Sequence, residues 1–218
     1  MRHTPRYIMS DPDEVKRLIR AHPWTTYVSP ASTGLVASHY PTLLEETDDD
    51  AIVILTHFGR PDEVAHEVGR HEMLVIVQGP HGYISPNWYE PGDDIPTWNH
   101  ATAHLYGVPE VLSEEENYRV LERLTDHFEH PMPAPRSLAD NEEYSRRVAK
   151  GTVGLRIRVT RFDARGKFSQ SKPPEVRGRI IDALAGDGPY AQPELAAEMR
   201  RVEGAAGVAG SADSAGDE

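Results

Sequence analysis

Gln78-Gly79-Pro80-His81-Gly82-Tyr83-Ile84-Ser85-Pro86-Asn87-Trp88-Tyr89, followed by Ile95-Pro96-Thr97-Trp98-Asn99-His100, is the most distinctive stretch of this sequence. The apolar run Met73-Leu74-Val75-Ile76-Val77 before it has the content of a β-strand. A proline cannot donate to a ladder, so the strand is expected to stop at Gly79-Pro80 and give way to a loop. That loop region carries Trp88, Trp98, Tyr83, Tyr89, His81 and His100. Rings with polar edges suit the wall of a partly dry cavity around a flat ligand.

Upstream, Ser10-Asp11-Pro12-Asp13 reads as a helix start with Ser10 as N-cap, and Val15, Leu18 and Ile19 fall on one face. Residues 24–29 and 34–45 alternate as hairpin strands around Pro30-Ala31-Ser32-Thr33, with further strands over 51–58 and 73–77. Downstream, residues 97–108 form a strand whose period of two places Trp98, His100, Thr102 and His104 on one face. Ser113 with Glu116 is a capping box, followed by the helical stripe Val120, Leu121, Leu124 and Phe128. After the proline-rich residues 131–135 come a short helix over 141–150, a last long strand over 153–162, and helices over 174–185 and 193–202. Val176, Ile180, Ile181 and Leu184 face inward on the first of these two helices. Residues 204–218 are small and acidic and read as a disordered tail, leaving residues 1–203 as one domain. Glu45-Glu46 and Asp93-Asp94 read as solvated turns, and His3, His22, His127 and His130 as surface residues.

A length of 218 residues allows one large domain or a barrel with helical additions. Cysteine is absent, which removes disulfides, thiolate metal sites and a thiolate haem ligand, and points to a reducing cytoplasm. No apolar stretch approaches the roughly 18 to 20 residues of a membrane span. Net charge is −12, with 35 acidic against 23 basic residues, which opposes a large nucleic-acid footprint. Helix-turn-helix, zinc-finger and basic-stripe patterns are lacking, and Arg146-Arg147 and Arg200-Arg201 are isolated, solvated pairs.

The aromatic segments, together with Ala37-Ser38-His39-Tyr40-Pro41, Gly151-Thr152-Val153-Gly154 and Gly166-Lys167-Phe168-Ser169-Gln170-Ser171-Lys172, resemble the PaiB-like family of FMN-binding negative transcriptional regulators. The resemblance runs from Met1 to Ala185 and implies an α+β fold, a pyridoxamine-phosphate-oxidase-like split β-barrel with peripheral helices, working as a homodimer. It also extends to haem-dependent piperazate synthases, so it speaks to fold more than to function. Leu55-Thr56-His57-Phe58-Gly59-Arg60-Pro61-Asp62-Glu63 is similar to the turn that helps hold the flavin phosphate in such barrels. Here Arg60-Pro61-Asp62-Glu63 stands where the family has alanine, asparagine and proline. Two carboxylates repel a phosphate dianion unless turned outward, and Pro61 lacks an amide donor.

His39 and His57 lie in otherwise apolar strands, where imidazole must find a partner or coordinate something. Haem b needs an axial donor, an apolar slot and cations for its propionates. Without cysteine, His57 is the first choice of axial ligand and His39 the second; the other reading of His57 is a hydrogen bond inside the barrel. Arg60, Arg70 and Lys167 serve propionates or a flavin phosphate alike, and Trp98, Ser169 and Gln170 complete the expected cofactor contacts. His100, Tyr83 and Lys167 are the candidates for catalytic chemistry on a small-molecule substrate. The aromatic cluster also reads as a barrel-mouth or dimer-interface plug, and His66 and His71 read as solvated. The first reading is a haem enzyme that cyclises δ-N-hydroxyornithine to piperazate by N–N bond formation. Its alternatives are an FMN-binding regulator and a flavin reductase or oxidase on the same barrel.

Overall fold

Alternating β-branched and aromatic residues make ten strands, and stretches with acidic first turns make six α-helices, in the computed structural model, which describes residues 4–92 and 95–213. In chain order these are β1 (Ile8–Met9), α1 (Pro12–Ala21), β2 (Trp24–Ala31), β3 (Gly34–Pro41), β4 (Leu43–Glu45), β5 (Val53–Gly59), α2 (Arg60–Ala65) and β6 (Met73–Ile84). There follow β7 (Thr97–Gly107), β8 (Glu110–Val111), α3 (Glu114–Glu129), α4 (Glu142–Ala149), β9 (Thr152–Arg158), β10 (Arg161–Lys167), α5 (Pro174–Ala185) and α6 (Pro193–Asp213). The strands pair in the orders β1-β10-β7-β6-β2-β3 and β4-β5-β9-β8. The expected Asp93-Asp94 turn, His3 and the last residues of the tail, 214–218, lie outside the described residues.

Several boundaries differ from expectation for local reasons. Asp11, not Ser10, caps α1 by accepting from Asp13 N. β6 runs through Gly79-Pro80 to Ile84 instead of stopping there. Its pairing with β2 covers Leu74 to Ile76, so Pro80 lies beyond that flank, where its missing N–H costs no ladder bond on that side. The expected last long strand is two strands, β9 and β10, which belong to different sheets. Phe128 is 45% exposed, and Asn117 and Tyr118 occupy the buried side of α3 that it was expected to share. α6 continues past Gly204 to Asp213.

The described chain divides into two compact units. In the unit made of Met1–Met9, Gly79–Ala101 and Arg165–Glu218, α5 buries Val176, Ile180, Ile181 and Leu184, and α6 buries Leu195, Ala196 and Met199. α6 comes close to β6 at Gly82, where a Cβ would lie 3.0 Å from Leu195 Cδ2. In the unit made of Ser10–Gln78 and Thr102–Ala164, Val15, Leu18, Ile19, Tyr27, Ile54, Leu55, Phe58, Leu105, Leu155 and Ile157 form the core. Phe58 stacks on Tyr40 at 4.4 Å and meets Tyr27 edge-on at 5.1 Å. No helix among the described residues is long and apolar enough to cross a membrane.

Gly107 ends β7 against β9, and a Cβ there would stand 2.6 Å from Arg158 O and 2.7 Å from Ile157 Cγ2. A backbone oxygen cannot rotate away as a side-chain tip can. Gly107→Ala is therefore expected to destabilise by about 1–3 kcal/mol, the range for overpacking, read as a lower urea midpoint with unchanged slope.

Candidate functional site

The alternation of β7 puts Trp98 and His100 on the face opposite buried Asn99 and Ala101, as the spacing predicts. Trp98 is 57% exposed. His81 of β6 stacks on it at 6.5 Å, and Tyr83 meets it edge-on at 6.1 Å. Tyr83 also contacts Tyr190, from the loop between α5 and α6, at 4.8 Å. His81, Gly82, Tyr83, Trp98, Pro189, Tyr190 and Gln192 enclose a pocket of about 450 Å³. That volume falls in the usual range for a small-molecule site.

Charge is arranged on the same strands. His100 is held below the ordinary imidazole range, first by burial and then by the positive charges of Lys167, Arg165 and His81. Lys167 donates from its ammonium to Thr97 Oγ1. The face therefore combines an exposed indole, two further rings and a positive potential. Trp98, His100, Tyr83 and Lys167, chosen from sequence, are brought together here within one unit.

Ser169 and Gln170 are placed differently from their expected role as cofactor contacts. Ser169 is buried at φ 60° and accepts from Asn99 Nδ2 at 2.9 Å. Gln170 turns its amide onto its own loop, donating to Gly166 O at 2.6 Å and accepting from Phe168 N at 2.7 Å. These residues shape the loop that presents Lys167. Tyr89 is buried with the Lys172 ammonium 4.1 Å above its ring, and Ser85 caps the turn at Pro86–Trp88.

In the other unit, His57 stands on β5 opposite Gly154 of β9. A Cβ at Gly154 would fall 2.8 Å from Asn117 Cα, so α3 packs directly against this point of the sheet. The Nδ1 of His57 is buried without a hydrogen-bond partner among the described residues. Its ring meets Tyr40 edge-on at 5.7 Å, and burial lowers its pKa, so the imidazole is neutral at pH 7. His39, the second choice, is exposed on β3 and stacks on Trp24 at 6.5 Å, not enclosed by apolar neighbours as expected. Its side chain simply takes the solvent-facing register of its strand.

The turn expected to hold a phosphate does not fit one. Gly59 N donates to Tyr40 Oη at 3.0 Å, Arg60 N donates to Gly151 O at 3.0 Å, and Pro61 has no donor. Arg60 pairs with Glu63 at 3.0 Å and bonds Lys150 O at 3.3 Å. Asp62 points into the turn, accepting from Ser38 at 2.9 Å and Tyr40 at 2.7 Å, which hold its carboxyl below the usual range.

His66, expected to be solvated, is 1% exposed. Ser38 donates to Asp62, so its oxygen is the acceptor for His66 Nε2–H at 3.0 Å, leaving Nδ1 to accept from Ser29 Oγ at 2.8 Å. Burial lowers the pKa of this ring, which matches that neutral tautomer. A chain of polar contacts thus runs from Ser29 through His66, Ser38 and Asp62 to Tyr40. No periodicity marks it, because its members come from β2, β3, α2 and the end of that helix.

Comparison with known proteins fits this architecture. The sporulation-related "Protease synthase and sporulation protein PAI 2" of Bacillus subtilis is 28% identical over 192 residues, covering 84% of this chain and 88% of that one. Among solved structures, the FAD and heme binding protein from Mycobacterium smegmatis aligns with a TM-score of 0.54 at 13% identity, over 84% of this chain and 81% of that one. The flavocytochrome Anf3 from Azotobacter vinelandii aligns with a TM-score of 0.55 at 12% identity, over 82% and 78%. At such identities the structural likeness speaks for the fold, an α+β split barrel. Residues 1–161 match the family described as "Putative FMN-binding domain", and the chain belongs to that family.

Proposed function

We propose that this chain binds FMN on the strand face bearing Trp98, Tyr83, His81, His100 and Lys167, and works as a flavin-dependent oxidoreductase on a small molecule. The observation that carries the reading is the exposed indole of Trp98 beside the cations of Lys167 and Arg165, which add to burial in lowering the His100 pKa. Trp98 with Tyr83 and His81 offers ring faces to a planar cofactor, and Lys167 with Arg165 supplies charge for a phosphate. FMN, when bound, supplies hydride and single-electron transfer. His100, neutral at pH 7 and close to Lys167 and Arg165, has a ring nitrogen that can take up a proton beside that phosphate.

Flavin titration followed by absorbance and fluorescence tests this. Stoichiometric binding with quenched flavin emission is expected, and a protein that leaves flavin free in solution overturns the reading. A phosphate dianion near His100 offsets the cations that depress its pKa. The bound-state pKa then lies above the free-state value, so FMN affinity is expected to rise as pH falls from 8 towards 6. Affinity that is flat or falls over that interval argues against His100 lying near the phosphate.

An indole more than half exposed on such a face favours a second copy covering it, so we include a homodimer in the reading. Light scattering should give twice the chain mass of 24.3 kDa. The reading includes a cytoplasmic address, with which the cysteine-free composition is consistent. DNA regulation is a competing use of the same cofactor, opposed by the net charge of −12.

A second reading rests on His57. Its buried, partnerless Nδ1 and depressed pKa give a neutral imidazole with a nitrogen to spare, the property of an axial ligand to haem b. The finer form of this reading is the N–N bond-forming cyclisation of δ-N-hydroxyornithine. The spectrum of the purified protein separates the two, since flavin bands support the first and a Soret band lost in His57→Ala supports the second.

A further inference from the structure

An antiparallel sheet with one solvated face normally turns its polar residues outward. β2 does the reverse. Its buried side chains include Thr25, Tyr27 and Ser29, held by hydrogen bonds to Thr42 and His66, while Trp24, Thr26, Val28 and Pro30 alternate with them on the outer side. Pairing extends this outer face over two more strands, because residues directly opposite each other point to the same side. Val28 stands opposite Ala37 of β3 and Leu74 of β6, and Thr26 opposite His39 and Ile76. At the ends, Trp24 lies opposite Pro41 and Pro30 opposite Leu35. Trp24 is 65% exposed and Leu35 82%. The intervening residues of β3, Ser38 and Tyr40, turn the other way, to Asp62 of α2. All of these residues lie in the unit made of Ser10–Gln78 and Thr102–Ala164.

The same rows carry no aspartate, glutamate, lysine or arginine, in a chain with 35 acidic and 23 basic residues. An exposed apolar patch of this kind marks an interaction surface. Its lack of charge says which partner fits. In a two-fold contact the same patch meets itself, so any charge on it is brought up against its like. Two chains of net charge −12 repel each other, and an uncharged face is the surface they can join with the least opposition. A lipid surface fits less well, since membrane-binding faces use lysine and arginine to reach anionic headgroups.

We propose that a second copy of this chain packs on the outer face of β2, β3 and β6, with Trp24 and Leu35 as the apolar anchors. This surface belongs to the homodimer included in the flavin reading, and the contact rests on that dimer, not on the cofactor. A standard interface buries about 800 Å² per partner, so the face forms the apolar centre and the surface around it the rim.

Sedimentation of the full chain over a concentration series tests the contact. The unaltered protein should be a dimer of the 24.3 kDa chain. Leu35→Glu and Trp24→Glu each set an unpaired carboxylate into the contact, so each should raise the dissociation constant at least about a hundredfold. Circular dichroism should stay unchanged, because both side chains are exposed in the single chain. Val64→Glu controls for added charge: Val64 is 75% exposed on α2, the helix on the other side of β3, and its exchange should leave the dimer intact. The interface is overturned if either acidic variant remains a dimer or if Val64→Glu dissociates as readily. A monomeric unaltered protein also overturns it, and flotation of that monomer with phosphatidylserine vesicles would assign the face to a membrane. If an acidic variant loses its fold, Leu35→Ser decides without added charge: a raised dissociation constant supports the contact and an unchanged one overturns it. Flavin titration of the same samples keeps the two readings apart. A dimer without flavin removes the cofactor and leaves the interface standing, and a monomer that binds flavin does the reverse.

Discussion

Lys167→Glu is expected to remove FMN binding. The substitution replaces a cation at the end of β10 with an anion on a face whose potential also rests on Arg165 and His81. Losing one partner of a close charge pair costs about 2–5 kcal/mol, and reversal adds repulsion, so affinity should fall by at least about a hundredfold. The exchange also takes away a positive neighbour of His100, which is then freed to rise towards its ordinary pKa. Two readouts therefore move together: flavin fluorescence stays unquenched, and the His100 ring titrates at higher pH. Lys167→Arg preserves the charge and should keep binding within about tenfold. If Lys167→Glu binds FMN as the unaltered protein does, the phosphate lies elsewhere and the strand-face site is wrong.

The parts of this molecule that rest on periodicity were legible in the sequence. Trp98 and His100 share a face because β7 alternates, and Val176, Ile180, Ile181 and Leu184 are buried because α5 repeats every three to four residues. Proline was the weaker guide. Pro80 signals the end of a strand by its own chemistry, yet β6 passes through it because β2 no longer flanks it there. The candidate site was legible where its residues sit on single strands, and hidden where several elements meet. His66 follows a short helix rich in charge, so its local setting reads as solvent, whereas Ser29 and Ser38 close over it from strands about thirty residues upstream. Asp62 misled in the opposite sense. It looked like an anion set against a cofactor phosphate, and it is the acceptor that Tyr40 and Ser38 require. That Asn117 Oδ1 and Tyr118 Oη are buried without a hydrogen-bond partner among the described residues is a property of packing between α3, α4 and β9, which no sequence spacing announces.

The same buried network sets the second large effect. His66→Ala should destabilise the protein by about 3–4 kcal/mol at pH 7.5, because it opens a cavity under the edge-on contact with Phe58 and strands the hydroxyl of Ser29. The pH dependence follows from the sign of the shift. His66 binds its proton less readily folded than unfolded, so below the ordinary imidazole range the unfolded chain carries the extra proton and stability falls as pH falls. His57 and His100 are depressed in the same direction and add to this slope. Asp62 acts in a lower window: its carboxyl is depressed, so its contribution holds above the ordinary carboxylate range and is lost as pH drops through its folded value. Urea unfolding at pH 7.5 and 5.5 separates these terms. The gap between the unaltered protein and His66→Ala should be widest at pH 7.5 and narrow at pH 5.5, where the native histidine is itself a liability. A gap that stays constant would mean that His66 contributes through packing alone and carries no proton-linked share of the stability.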